Sequence, residues 1–313
     1  MGIRVLYVAE IVGKAGVFTV KKVLPRVKRE YRVDFVIGNA DSATGGAGLG
    51  RQHAVYLHKL GLDVITTGEC IYYKRDIVEH LGQASYIIRP ANYPYGNPGH
   101  GYRVFGTPAG KVAVVQLLGQ AGFPRVHLAN PYQAAVDLAR KLRTECPAVI
   151  LDFHAATTAE KRTMAYHLDG LVSAIVGSHT KAITADAQVL PRGTAYITDA
   201  GRTGGSQSVG GLDPETRIRE FLTGIPAWAR DGARDLELQG CLIEIRDDGK
   251  AASIEALRIP CGESMDLGPA EAGEAGEAGA VEAGAVEAGA VEAGAVEAGA
   301  AAQKSDEEKA PPA

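Results

Sequence analysis

The chain has 313 residues, a net charge of −4 and 46% hydrophobic residues, a balance suited to one large soluble core or two modest ones. The charge is unevenly placed: residues 269–313 hold ten acidic and two basic side chains, so the remaining body carries about +4. No apolar stretch reaches the roughly 18 residues of a membrane span, and the four cysteines, at 70, 146, 241 and 261, form no CxxC pair, which argues against a zinc ribbon or a thioredoxin-type site.

Residues 4–9 read as a strand, Gly13-Lys14-Ala15-Gly16 as a turn, and 18–31 as a helix. The next unit has a strand at 34–37, a glycine-rich loop at 44–48 and a helix at 52–60; a third has a strand at 63–67 and a helix at 74–81. Strands and helices alternating in this way predict a parallel sheet whose following loops share one edge. From 85 to 118, Pro90, Pro94 and Pro98 break the pattern and mark entry into a second sheet, with a hairpin of 102–105 and 111–117. Asn130 caps a helix running to 143, strands follow at 148–152, 171–176 and 195–198, and Asp213-Pro214-Glu215 opens another helix. Strands at 239–245 and 252–259 close a body of residues 1–267 around Asp247-Asp248-Gly249. Beyond it lie four Ala-Val-Glu-Ala-Gly units at 280–299. A glycine every fifth residue costs each helical turn about 1 kcal/mol against alanine, so 268–313 is expected to be a disordered acidic extension.

Acidic or histidine side chains stand just past five of the apolar runs: Glu10, Asp41, Glu69 with Cys70, His154 and His179. Ligands of parallel sheets gather at the carboxyl ends of the strands, so five loops are expected to meet at one site. Carboxylates and imidazoles together suit a hard to borderline divalent metal better than a structural thiolate site does. His53, His58, His80, His127 and His167 fall in or beside helices and read as packing or surface residues.

Tyr7-Val8-Ala9-Glu10-Ile11-Val12-Gly13-Lys14, Gly38-Asn39-Ala40-Asp41, Gly68-Glu69-Cys70, Asp152-Phe153-His154-Ala155 and Gly177-Ser178-His179-Thr180-Lys181 occur in the order of a calcineurin-like metallophosphoesterase. Together with Arg89-Pro90-Ala91-Asn92-Tyr93-Pro94 and Thr194-Ala195-Tyr196-Ile197-Thr198-Asp199, they make residues 3–260 resemble the YmdB-type branch. The resemblance implies an α/β/β/α sandwich, one or two divalent ions, with iron or manganese favoured, and hydrolysis of small phosphodiesters such as 2′,3′-cyclic nucleotides. It also implies metal ligation at Glu10, Asp41, Glu69, His154 and His179, catalytic positions at Cys70 and Lys181, and substrate contacts at Ser42 and Asn92.

The chain departs from the family pattern at six of these places. Glu10 replaces an aspartate, Asp41 a glutamate, Ser42 and Glu69 asparagines, Cys70 the acid histidine and Lys181 the last histidine. The positions that surround one metal remain filled by Asp41, Glu69, His154 and His179. The other metal loses its imidazole to Lys181, and a protonated amine has no lone pair to offer. The expectation is a mononuclear site in which the Lys181 ammonium occupies the second metal's place and pairs with Glu10. A noncatalytic regulator that binds a nucleotide or an RNA end on the same fold is the rival reading. The expected compartment is the cytoplasm; the partner is a small phosphodiester or nucleotide, with no membrane and no strong nucleic-acid signature, and a homo-oligomer is compatible with the sequence.

Overall fold

A computed structural model describes residues 2–123 and 128–265, all within the compact unit Met1–Ala270. The 267/268 boundary, the tail and His127 lie outside the described residues. The first half runs β1 (Ile3–Val8), β2 (Glu10–Ile11), α1 (Gly13–Glu30), β3 (Phe35–Asn39), α2 (Arg51–Lys59), β4 (Val64–Thr66), α3 (Arg75–Leu81) and β5 (Ile87–Ile88). There follow β6 (Tyr102–Thr107), β7 (Gly110–Leu118), α4 (Pro131–Arg143), β8 (Ala148–His154), α5 (Thr158–Leu168), β9 (Ala174–Ser178), β10 (Gln188–Val189) and β11 (Ala195–Ile197). β12 (Arg202–Gly205), α6 (Pro214–Thr223), β13 (Leu236–Ile245) and β14 (Ala251–Pro260) complete the chain.

Two sheets result. The first has the order β2-β12-β13-β1-β3-β4-β5, with β14 paired to β13; the second has the order β10-β11-β9-β8-β7-β6. β1, β3, β4 and β5 are parallel neighbours, and so are β7, β8, β9 and β11. Alternation along the strands divides the apolar side chains between faces. Val5, Tyr7, Phe35 and Ile37 join Val112, Val114, Ile150 and Val176 in the core between the sheets. Leu6, Val36 and Ile65 pack under Val20, Leu24 and Leu57 of the first helical layer, and Val115, Val149 and Leu151 pack under Ala139, Met164 and Leu168 of the second. The expected α/β/β/α sandwich is the fold.

Two local differences have physical causes. Gly13-Lys14-Ala15-Gly16 is the first turn of α1, not a loop, because Asp231 accepts hydrogen bonds from the backbone N–H groups of Lys14 at 2.6 Å and Ala15 at 3.4 Å. That acceptor satisfies amides that a helix end leaves open, and it comes from the far end of the sequence. β9 begins at Ala174, later than expected, because Gly170 with φ 83° turns the chain and Asp169 and Val172 form an isolated bridge.

Candidate active site

The parallel strands of both sheets deliver their carboxyl ends to one place. Glu10 sits in β2; Asp41 and Glu69 follow β3 and β4; His154 ends β8 and His179 follows β9. His154 Nε2 lies 2.7 Å from Glu69 Oε2, 3.9 Å from Asp41 Oδ2 and 3.2 Å from His179 Nδ1, whose own distance to Glu69 Oε1 is 3.4 Å. Gly68 allows this approach: a Cβ there would stand 2.5 Å from His154 Nε2. Asp41 is fixed by the Cys70 backbone N–H, which donates to Oδ2 at 3.1 Å.

The electrostatics follow from burying like charges together. Burial and the nearby Glu69 carboxylate push Asp41 up to about 8. Burial opposes a charge on His154, but Glu69, Asp41 and Glu10 outweigh it and raise the imidazole to about 9. Glu69 is driven the other way: despite burial, His154 and His179 hold it well below the usual carboxylate range. Burial, then Asp41 and Glu69, push the Cys70 thiol far up.

The rest of the site is self-neutralised. Lys181 Nζ lies 3.2 Å from Glu10 Oε1, and Ser42 Oγ donates to the same oxygen at 2.5 Å. Burial works against the Lys181 charge, and Glu10 more than restores it. Both His179, with φ 95°, and Lys181, with φ 58°, occupy backbone conformations that non-glycine residues avoid. Asp199 holds them there. It accepts from Thr180 N at 3.0 Å and Thr180 Oγ1 at 2.7 Å, and its charge is met by buried Lys161 at 2.7 Å.

Behind His154 lies a chain of partners whose role the sequence did not reveal. Ser178 Oγ donates its proton to Asp152 Oδ1 at 2.7 Å, so its lone pairs receive His154 Nδ1 at 2.8 Å. This arrangement puts Nδ1–H on Ser178 and turns Nε2 toward the cluster. Asp152 Oδ2 is in turn held by Tyr7 OH at 2.8 Å, Thr66 Oγ1 at 2.5 Å and Asn39 Nδ2 at 3.1 Å. Phe123 covers the histidines, its ring centroid 4.9 Å from that of His179 and 6.2 Å from that of His154. The alternation Asp152-Phe153-His154 puts Asp152 and His154 on one face of β8 and was a readable signal; nothing local marks Phe123.

Of the expected residues, Glu10, Asp41, Ser42, Glu69, Cys70, His154, His179 and Lys181 are brought together. Asn92 is not. Its Nδ2 donates to the carbonyls of Leu118 at 2.8 Å and Ala129 at 3.2 Å, and its Oδ1 accepts from Leu118 N at 3.0 Å, so its amide is spent on shaping the turn rather than turned to substrate. His58 stacks on Tyr86 with centroids 4.1 Å apart, and His80 meets the Tyr86 hydroxyl at 2.9 Å, as packing residues would.

The donors fit a divalent ion. Glu69, His154 and His179 present ligand atoms within 4.8 Å of one another, and so do Asp41, Glu69 and Cys70. Asp41 Oδ1 and Glu10 Oε2 are buried without a hydrogen-bond partner among the described residues. Metal bonds of about 2.0–2.3 Å set ligand atoms roughly 3–4 Å apart, so the His154–Glu69 pair at 2.7 Å would open slightly and the wider pairs close by about 1 Å. A concavity of about 960 Å³ beside Arg4, Arg32 and Asp34 lies at the opposite strand ends and gathers no comparable donor set.

The family described as YmdB-like protein matches residues 6–257. The chain belongs to the YmdB-like family. A Bacillus subtilis strain 168 relative named 2′,3′-cyclic-nucleotide 2′-phosphodiesterase is 36% identical over 257 residues, covering 82% of this chain and 97% of that protein. A Mycoplasma pneumoniae crystal structure described as a novel phosphatase superposes with a TM-score of 0.78 at 32% identity, covering 85% of this chain and 95% of that one. A hypothetical protein from Thermus thermophilus gives 0.76 at 31% identity, with coverages of 82% and 99%. The YmdB-like match thus spans both sheets and every strand end of the site. No helix among the described residues is long and apolar enough to cross a membrane.

Proposed function

We propose that this YmdB-like protein is a metal-dependent phosphodiesterase acting on small phosphodiesters such as 2′,3′-cyclic nucleotides. One divalent ion, with iron or manganese the metals implied by the family, is held by Asp41, Glu69, His154 and His179. The observation that carries the reading is the convergence of Asp41, Glu69 and two imidazoles at the strand ends, with Asp41 Oδ1 buried and unpartnered among the described residues. The name of the Bacillus subtilis relative supports the substrate class.

When bound, the ion supplies Lewis acidity toward a phosphoryl oxygen and makes water nucleophilic near neutral pH. The protein's own groups orient and balance that chemistry. Ser178 and Asp152 keep His154 Nε2 aimed at the cluster. Lys181 carries three N–H donors, so pairing with Glu10 does not exhaust it, and its charge stabilises phosphoryl oxygens where the family has a second metal. Phe123 packs against both histidine rings, leaving His154 buried and His179 partly open to solvent. In the metal-free protein burial, Asp41 and Glu69 keep the proton on the Cys70 thiol, which stands within the donor cluster beside the reacting phosphoryl group. Solvent entering past partly exposed His179 supplies the proton for the leaving oxygen.

We also place the protein in the cytoplasm and the catalysis within the body of residues 1–267. The rival reading, a noncatalytic nucleotide or RNA-end binder, draws on the loss of imidazoles at positions 70 and 181. Turnover of 2′,3′-cyclic AMP by metal-stripped, manganese-reconstituted protein separates the two. Hydrolysis that requires metal and vanishes in the Asp41→Ala/His154→Ala variant is expected; turnover no greater than that variant's contradicts the enzymatic reading for this substrate.

A further inference from the structure

The loop after β4 brings a third kind of donor to the cluster. We propose that Cys70 is itself a metal ligand, its sulfur joining Asp41 and Glu69 on the ion they share with the histidines and shifting the site's preference from manganese toward zinc. This rests on the metal-binding reading above and goes beyond it, because the ligand set implied by the family contains no sulfur.

The position of Cys70 differs from that of every other cysteine in the chain. Cys241 belongs to the core between the sheets, Cys146 to the core under the second helical layer, and Cys261 packs against the core under the first. Cys70 belongs to none of these three apolar clusters, although it is only 9% exposed. Its sulfur instead lies within 4.8 Å of ligand oxygens of both Asp41 and Glu69. A buried thiol kept for packing should touch aliphatic groups; this one is set against carboxylates.

A second observation points to a cation. Asp41 Oδ1 is buried and has no hydrogen-bond partner among the described residues, while Oδ2 is held by the Cys70 backbone N–H. The peptide of Cys70 is thereby locked to the same carboxylate that its side chain adjoins. A buried carboxylate oxygen left bare costs free energy that a cation recovers. On binding, the S–H bond breaks, its proton passes to solvent and a sulfur–metal bond forms, with no change of oxidation state. Thiolate ligands favour zinc, whereas manganese is better served by carboxylate, carbonyl and water. Substituting cysteine for the family's acid histidine therefore exchanges a proton donor for a donor to the ion.

Cobalt titration of the metal-stripped full-length protein tests this without reference to turnover. Wild type should develop both the weak visible ligand-field bands of bound cobalt and a strong near-ultraviolet thiolate-to-cobalt charge-transfer band. Cys70→Ser should keep the visible bands and lose the charge-transfer band. It should also weaken zinc by at least about tenfold, the lower end of what even an outer partner of a ligand is worth, while leaving manganese affinity nearly unchanged. Visible bands without charge transfer in wild type would overturn the sulfur ligand and leave the metal site standing. Charge transfer that survives in Cys70→Ser assigns the thiolate to another cysteine and also overturns it. No cobalt bands of either kind would remove the metal-binding reading and the sulfur ligand together. The wild-type spectrum is decisive even if the variant folds poorly.

Discussion

The two halves of the site solve one electrostatic problem in opposite ways. Around His154, burial and the Glu69 carboxylate push Asp41 up to about 8 against the pull of the imidazole, and Asp41 keeps a bare buried oxygen. Around Glu10, the chain brings its own cation: Lys181 at 3.2 Å, supported by Ser42 at 2.5 Å. Each half keeps one buried carboxylate oxygen without a hydrogen-bond partner among the described residues, Asp41 Oδ1 and Glu10 Oε2, but on the proposed reading the first half takes its cation from outside, whereas the second carries positive charge in a side chain. On that reading the Lys181 ammonium takes the place of a second ion, provided the facing carboxylate can reach it. Glutamate in place of aspartate at position 10 supplies that reach.

The largest effect should come from emptying the first half. Asp41→Ala/His154→Ala should lower metal affinity well over a hundredfold, beyond the range of outer partners, as read by competition with a chelating dye. If affinity in the variant stayed within a few-fold of wild type, the ion would have to be held elsewhere. Breaking the second half should act on stability rather than metal. Lys181→Met leaves Glu10 buried without its counterion and should cost about 3 kcal/mol in denaturant unfolding, with Glu10→Gln/Lys181→Met recovering most of it. A Lys181→Met variant as stable as wild type would show that the pair does not carry the balance described.

A smaller effect is expected from the groups behind the ligand. Ser178→Ala removes the acceptor for His154 Nδ1 and should weaken metal binding about tenfold, with an accompanying stability loss of about 1 kcal/mol. An unchanged affinity would mean that packing alone orients His154. The pH response sharpens the same contrast. Asp41 and His154 are both raised, from 3.8 to about 8 and from 6.5 to about 9, so the folded metal-free protein holds protons that the unfolded chain releases. Their stabilising contribution is complete below the unfolded values and is lost as pH rises through the folded ones, so metal-free stability should fall between about pH 5 and 9. Because a metal must displace those protons, its affinity should climb over the same window and level off above about pH 9. Stability of the metal-free protein that rises across this range would contradict the assigned directions.

Much of this was legible in the sequence, for identifiable reasons. Buried parallel strands write themselves as short apolar runs, so the runs before Glu10, Asp41, Glu69, His154 and His179 located the strand ends and hence the site. The Lys181–Glu10 pair could be inferred because each substitution explains the other's charge. What stayed hidden depends on contacts between distant segments. Asp231 caps α1 from more than two hundred residues away, turning an apparent glycine loop into helix. Asn92 reads as a polar cleft residue in the sequence, but its amide is spent on Leu118 and Ala129. Phe123 carries no local mark at all, since only the fold brings its ring against His179.

The central claim is that the side chain of Lys181 stands where a second ion would be. The most direct measurement is the metal content of the full-length protein by elemental analysis after saturation with manganese and removal of excess, with Glu10→Asp/Ser42→Asn/Lys181→His measured beside it. One ion per chain in wild type, rising toward two in the triple variant, is the result predicted. Two ions per wild-type chain, located by anomalous scattering at Asp41 and beside Glu10, would contradict it.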